Sequence, residues 1–169
     1  IAVVLDESIR VARRSGRNSI NIYDPGRSVG ISASSVQRST SLILDALAED
    51  RFQLFRQPIV SVVDRSVKHY EVLIRMIDPD GSLRSPIEFI PQAESLNLIQ
   101  QIDRWVIKNS MQIWESSQGI GQSTGEYIHL AINVSGMSVG KEMAEYLTEQ
   151  ADLNGVPHDA ITVEITETA

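Results

Sequence analysis

The 169-residue chain contains no cysteine, which excludes a disulfide scaffold, a Cys-ligated zinc or iron–sulfur site and thiol catalysis. No stretch approaches the roughly 18 consecutive apolar residues of a membrane-spanning helix. The first residues also lack the successive basic, apolar and small-residue regions of a secretory signal. Cytoplasmic residence, with no membrane contact by this segment, is the expectation. Aromatic residues make up only 5% of the chain, and no stripe alternates basic with aromatic side chains. There is no internal repeat and no low-complexity tract. The chain begins at Ile1 rather than Met and is read as part of a longer polypeptide. Its 42% hydrophobic and 22% charged residues suit one main core plus a small extra unit, at roughly 100–200 residues per domain.

Basic charge is scarce where it matters most. Residues 1–38 carry six Arg against three acids, a net +3, whereas residues 39–169 carry nine Lys or Arg against nineteen acids, a net −10. So acidic a body excludes duplex nucleic acid as the main partner, because phosphate binding wants clustered cations. One small phosphate ligand remains compatible, especially with bridging metal ions. The change of sign near residue 38 marks a boundary between structural units.

Ile1 to Arg14 reads as the end of an amphipathic helix, and Ser15-Gly16-Arg17-Asn18 as its stop. Ser19 to Tyr23 alternates like a short strand. Residues 1–24 therefore form a helix–strand tail, and 25–35 a small, polar linker after the Asp24-Pro25-Gly26 turn. The main domain runs over 36–169. Its pattern predicts a helix over 36–50 and a strand over 52–63, which Pro58 confines to an edge or a special position. A second strand covers 70–77 and ends at Asp78-Pro79-Asp80-Gly81. Helices follow over 86–98 and 99–116, a glycine-rich loop over 118–125, a strand over 127–134, a helix over 137–154 and a strand over 160–166. This alternation indicates an α/β sheet or barrel. A complete (β/α)8 barrel needs about 250 residues, so some 130 supply half of one. Its open sheet edge could pair with a second copy, making a homodimer an expectation of this half barrel.

Oxygen ligands interrupt the apolar strands. Glu71 sits among Val72, Leu73 and Ile74; Asn133 follows Leu130, Ala131 and Ile132; Glu164 lies between Val163 and Ile165. A carboxylate buried in a strand is costly unless a cation or several donors meet it. The three residues are 62 and 31 positions apart, as successive strand–helix units require, and all are placed toward the C-terminal ends of their strands, where α/β barrels hold their chemistry. Two carboxylates and an amide oxygen make a hard site suited to Mg²⁺ or Mn²⁺. Taken singly, each is as well explained as a solvated or salt-bridged strand-end residue. Glu71, Leu73 and Arg75 share a strand face. Glu71 and Arg75 are then either an internal ion pair, or a metal ligand beside a guanidinium that clamps a phosphate. Gln57 is a polar residue in an otherwise alternating strand, and Asp103 fits an ordinary helix surface. His69 and His129 are read as packed or surface histidines rather than ligands.

These stretches together resemble the EAL-domain family of cyclic di-GMP phosphodiesterases and related receptors. The resemblance is carried by Phe55-Arg56-Gln57-Pro58-Ile59, Tyr70-Glu71-Val72-Leu73-Ile74-Arg75 and the run from Pro86 to Glu94. It continues in Ile102-Asp103-Arg104-Trp105-Val106-Ile107, Ile132-Asn133-Val134-Ser135 and Val163-Glu164-Ile165-Thr166-Glu167. The segment from Ala12 to Asn18, with its strand to Tyr23, resembles the end of a GGDEF domain, implying an upstream GGDEF partner. The resemblance implies a modified TIM barrel whose first strand is antiparallel, of which this chain is the first half. It implies Mg²⁺ or Mn²⁺ at Glu71, Asn133 and Glu164, two ions in the complete domain, with Glu71 catalytic. By the same correspondence cyclic di-GMP meets Gln57, Leu73, Arg75 and Asp103, the last at a guanine edge, and hydrolysis gives linear pGpG. The family's Glu-Ala-Leu signature here reads Glu71-Val72-Leu73, a change on the opposite strand face from Glu71. The paired aspartates, lysine and later glutamate of active members would fall beyond Ala169, which implies that this polypeptide alone is inactive. A non-catalytic cyclic di-GMP receptor is the alternative.

Overall fold

A computed structural model of the chain describes residues 33–121 and 128–166. Two compact units are distinguished, 1–36 and 37–169. The expected helix, turn and strand of residues 1–24 lie outside the described residues.

The described chain opens with α1 (Ala33–Ala48), followed by β1 (Phe52–Val60), β2 (Val67–Ile77) and the two-residue β3 (Leu83–Arg84). Next come α2 (Pro86–Ser95), α3 (Ile99–Gly121), β4 (His129–Ser135), α4 (Lys141–Leu153) and β5 (Ile161–Thr166), with single 3-10 turns at Gly136–Ser138 and His158–Ala160. The sheet order is β1-β2-β4-β5, with β3 pairing beside β2. β1 is antiparallel to β2, whereas β2–β4 and β4–β5 are parallel. The fold is thus α/β with a mixed sheet. Pro58 lies on β1 at the sheet edge, where its missing N–H costs no ladder bond on the open side.

Alternation sorts the side chains. Phe52, Val72, Met76, Leu130, Ile132 and Val134 enter a core with Ile43 of α1, Phe89 of α2, and Ile102, Val106 and Met111 of α3. The other face carries the polar set, beginning with Glu71 and Asn133, which bond to each other. The helices pack their apolar residues against the first set, and Glu71 and Asn133 project from the opposite strand face.

Two local devices place the walls of the site. At the start of α2, Glu88 Oε1 accepts from the Ser85 N–H at 3.1 Å, and Pro86 occupies a first-turn position that needs no N–H partner. Between α2 and α3, Asn97 takes φ 56°, a left-handed geometry that Asn tolerates better than most residues. The Leu98 N–H then returns to Ala93 O at 2.8 Å. This tight corner turns two helices over the same end of the sheet.

Several boundaries differ from the sequence reading. α1 begins at Ala33, inside the expected linker. α3 runs to Gly121 through Gln118 and Gly119, because a glycine costs a helix only about 1 kcal/mol and established turns can absorb that. β3 is an addition: the Asp78–Arg84 ion pair, 2.8 Å at its shortest, closes a hairpin too short to leave a periodic signal. The expected helix over 137–154 divides into a 3-10 turn and α4.

Candidate functional site

Cross-strand register assembles the candidate residues. Gln57 of β1 stands opposite Glu71 of β2, and Phe55 opposite Leu73. Glu71 pairs with Ala131 of β4, and Asn133 with Glu164 of β5. Asn133 thus stands one row beyond Glu71, on the neighbouring strand about 4.8 Å away. Its Nδ2 donates to Glu71 Oε1 at 2.9 Å. Glu164 is exposed beside it. Glu71 is not at the end of its strand: it is the fifth of eleven residues in β2. The overhang pairs with β1 and β3, and relative to the β4 pairing, which spans His69 to Val72, Glu71 does stand near the C-terminal side.

Among the described residues no ion pair joins Arg75 to Glu71. The Arg75 guanidinium instead donates to Ile74 O at 2.8 Å and lies 5.8 Å from the Phe55 ring centroid. The side chain is half-buried. His69 and His129 pack edge to face at 5.8 Å, and His129 Nδ1 contacts Asp159 O at 3.1 Å.

Asp103 departs furthest from the surface position open to it in the sequence. It is only 4% exposed and borders a cavity of about 460 Å³ together with Leu73, Glu94, Asn133, Ser135 and Thr166. Burial pushes its carboxyl up to about 6 from an ordinary 3.8. The adjacent Ser138 hydroxyl and the Ser135 N–H oppose the rise, and the charge of Glu94 adds to it. Ser135 N–H donates to Asp103 Oδ2 at 3.2 Å; Ser138 Oγ is buried and makes no hydrogen bond of full geometry. Glu94 and Ser135 were not singled out by sequence reasoning, although both lie within the motifs. The available signal was the stripe of Ile99, Ile102, Val106 and Ile107, since i+4 from Ile99 falls on that apolar face rather than on the helix surface expected for Asp103.

The chemistry of the donor set, two carboxylates and an amide, suits a hard cation. Among the described residues no three His, Cys, Asp or Glu side chains converge; the Glu71–Asn133–Glu164 set has two carboxylates and an amide. Asn133 turns its NH₂ toward Glu71, whose ionised carboxylate can only accept. A half-turn of the amide about its terminal torsion exchanges donor for acceptor and presents Oδ1 instead. The same three residues can then offer three oxygens.

The EAL domain family model matches residues 41–169. The chain belongs to the EAL domain family. It is 31% identical over 159 residues to the cyclic di-GMP phosphodiesterase PdeB of Shewanella oneidensis, covering 93% of this chain and 18% of PdeB. The fold is similar to the EAL domain of Xanthomonas citri FimX in complex with cyclic di-GMP. That match has a TM-score of 0.66 at 25% identity, over 78% of this chain and 50% of that one. It is similar also to the EAL enzyme Bd1971 in its form with cAMP and cyclic di-GMP, with a TM-score of 0.71 at 20% identity, over 97% of this chain and 43% of that one. This EAL chain therefore spans less than a fifth of PdeB. No helix among its described residues is long and apolar enough to cross a membrane.

Proposed function

We propose that the protein containing this chain is a divalent-metal-dependent phosphodiesterase that converts cyclic di-GMP to linear pGpG. The observation that carries this reading is the 2.9 Å contact between Asn133 and Glu71, with Glu164 in register beside Asn133. Residues 62 and 31 positions apart come to adjoining positions on one face of the sheet. The similarity to PdeB and to an EAL domain complexed with cyclic di-GMP supports the substrate.

Glu71 and Glu164 would provide the negative charge to hold Mg²⁺ or Mn²⁺, and Asn133 would provide a neutral oxygen. When bound, such ions polarise a phosphodiester oxygen and acidify a water. Arg75 orients a phosphate with its planar fork. Gln57 and Leu73 line the same face, and Asp103 accepts from the N–H edge of a guanine at the cavity. The sheet is read as the first half of a modified TIM barrel, following the tail of a GGDEF domain on the strength of the segment from Ala12 to Asn18.

A second reading, a receptor that binds cyclic di-GMP without cleaving it, is supported by the similarity to the FimX EAL domain in complex with cyclic di-GMP. Turnover separates the two. The full-length protein is assayed with Mg²⁺ and then Mn²⁺, beside the 169-residue chain. Metal-dependent pGpG from the full-length protein, with none from the chain alone, supports the phosphodiesterase. Tight retention of intact cyclic di-GMP without product transfers the reading to a receptor, and absence of both ends both.

A further inference from the structure

Ser135 is held unusually firmly for a strand-end serine. Its hydroxyl donates to Glu94 Oε1 at 2.8 Å, and its N–H to Asp103 Oδ2 at 3.2 Å. Its Oγ also accepts from the Met137 N–H at 3.3 Å. The two carboxylates come from different helices, Glu94 from α2 and Asp103 from α3. Just before Ser135, Val134 O accepts from Thr166 Oγ1 of β5 at 3.3 Å. The end of β4 is therefore tied to two helices and to the neighbouring strand.

A serine needs one acceptor for its hydroxyl, and water or a main-chain carbonyl would suffice. Here Ser135 is instead bonded by two carboxylates drawn from separate helices into a partly dry place. Such an arrangement stabilises the fold poorly, but it fixes direction well. Ser135 is two positions beyond Asn133, and both border the same cavity. Restraining the strand at Ser135 restrains the backbone that aims the Asn133 amide at Glu71.

We propose that Ser135, gripped by Glu94, is a positioning residue for Asn133. It acts by holding the end of β4 so that the amide meets Glu71 and Glu164 with little adjustment when a cation binds. This rests on Asn133 being a metal ligand, as set out above. Groups that orient metal ligands typically change metal affinity 10- to 100-fold when removed.

The test is Mn²⁺ binding to the full-length protein, followed by electron paramagnetic resonance of the free ion without substrate. Ser135→Ala should weaken binding about tenfold, and Ser135→Thr, which keeps the hydroxyl, should recover most of it. A second pair guards against misfolding. Glu94→Leu removes the acceptor and should weaken Mn²⁺ similarly, whereas Glu94→Gln keeps a carbonyl oxygen at the same place and should bind nearly as the wild type does. Wild-type affinity in Ser135→Ala, or equal weakening by Glu94→Leu and Glu94→Gln, overturns the positioning role. If Asn133→Ala abolishes binding while Ser135→Ala does not, the metal reading survives and this inference alone fails. If the wild-type protein binds no Mn²⁺, both fail.

Discussion

Asn133 donates to Glu71 across 62 residues of chain, with Nδ2 and Oε1 2.9 Å apart. The amide serves there as the counter-group of a carboxylate, and the same amide reversed would be a cation ligand.

Asn133→Asp replaces that donor with a second carboxylate. Without a divalent ion the two acids repel, and the thermal midpoint in chelator should fall below that of the wild type. Mg²⁺ or Mn²⁺ should raise the variant's midpoint by more than it raises the wild type's, because binding to the native state alone stabilises it. Melting curves with chelator and with 10-fold steps of metal check this. An equal metal response in both proteins would count against a cation between Glu71 and residue 133.

Asp103 makes stability depend on pH in an unusual direction for an acid. Its folded value of about 6 exceeds the ordinary 3.8, so the native state holds a proton that the unfolded chain has released. The stabilisation is complete below about pH 3.8 and is lost as pH rises through 6, a span of roughly 3 kcal/mol at most. Subtracting the urea unfolding profile of Asp103→Asn from that of the wild type, between pH 4 and pH 8, isolates this contribution. The variant should gain on the wild type as pH rises through 6, and parallel profiles would refute the assignment.

Arg75→Lys keeps the charge and loses the fork. Because Arg75 already leans on Phe55 and Ile74 O, a lysine keeps neither the ring contact nor a planar pair of donors. Cyclic di-GMP affinity of the full-length protein should fall about tenfold or more, with the thermal midpoint within a few degrees of wild type. Calorimetric titration measures the first and a melting curve the second. Unchanged affinity would remove Arg75 from the ligand site.

Ile132 is fully buried in β4, whereas Val62 in the β1–β2 turn is 96% exposed. Ile132→Ala should cost about 2–5 kcal/mol of unfolding free energy, and Val62→Ser no more than about 0.5 kcal/mol. Denaturant unfolding of both compares the helix-covered face with the hairpin tip. Similar costs would contradict the side-chain sorting described for the sheet.

The strand pattern around Glu71, Asn133 and Glu164 was legible because a polar residue inside an apolar run violates period-2 alternation, and a violation is conspicuous. Asp103 falls on the stripe of Ile99, Ile102 and Val106, but a single acid on a helix fits an exposed face as readily, so only its place in a family motif marked it. Glu94 and Ser135 gave no such sign. Their role depends on the corner at Asn97, and one left-handed residue that swings a helix is not a periodicity.

The sequence by itself determined the alternation of strands and helices, the two-sided strands, the family, and Glu71, Asn133 and Glu164 as polar interruptions of apolar strands. Each of these is a local pattern repeated over enough residues to outweigh individual propensities. Only the tertiary structure decided that Asn133 stands one row beyond Glu71, that Arg75 turns to Phe55 rather than to Glu71, and that Asp103 is buried beside Glu94 and Ser135. Register between strands and the angle between helices are set by packing among residues far apart in the chain. The distances that decide chemistry come into being only when that packing is complete.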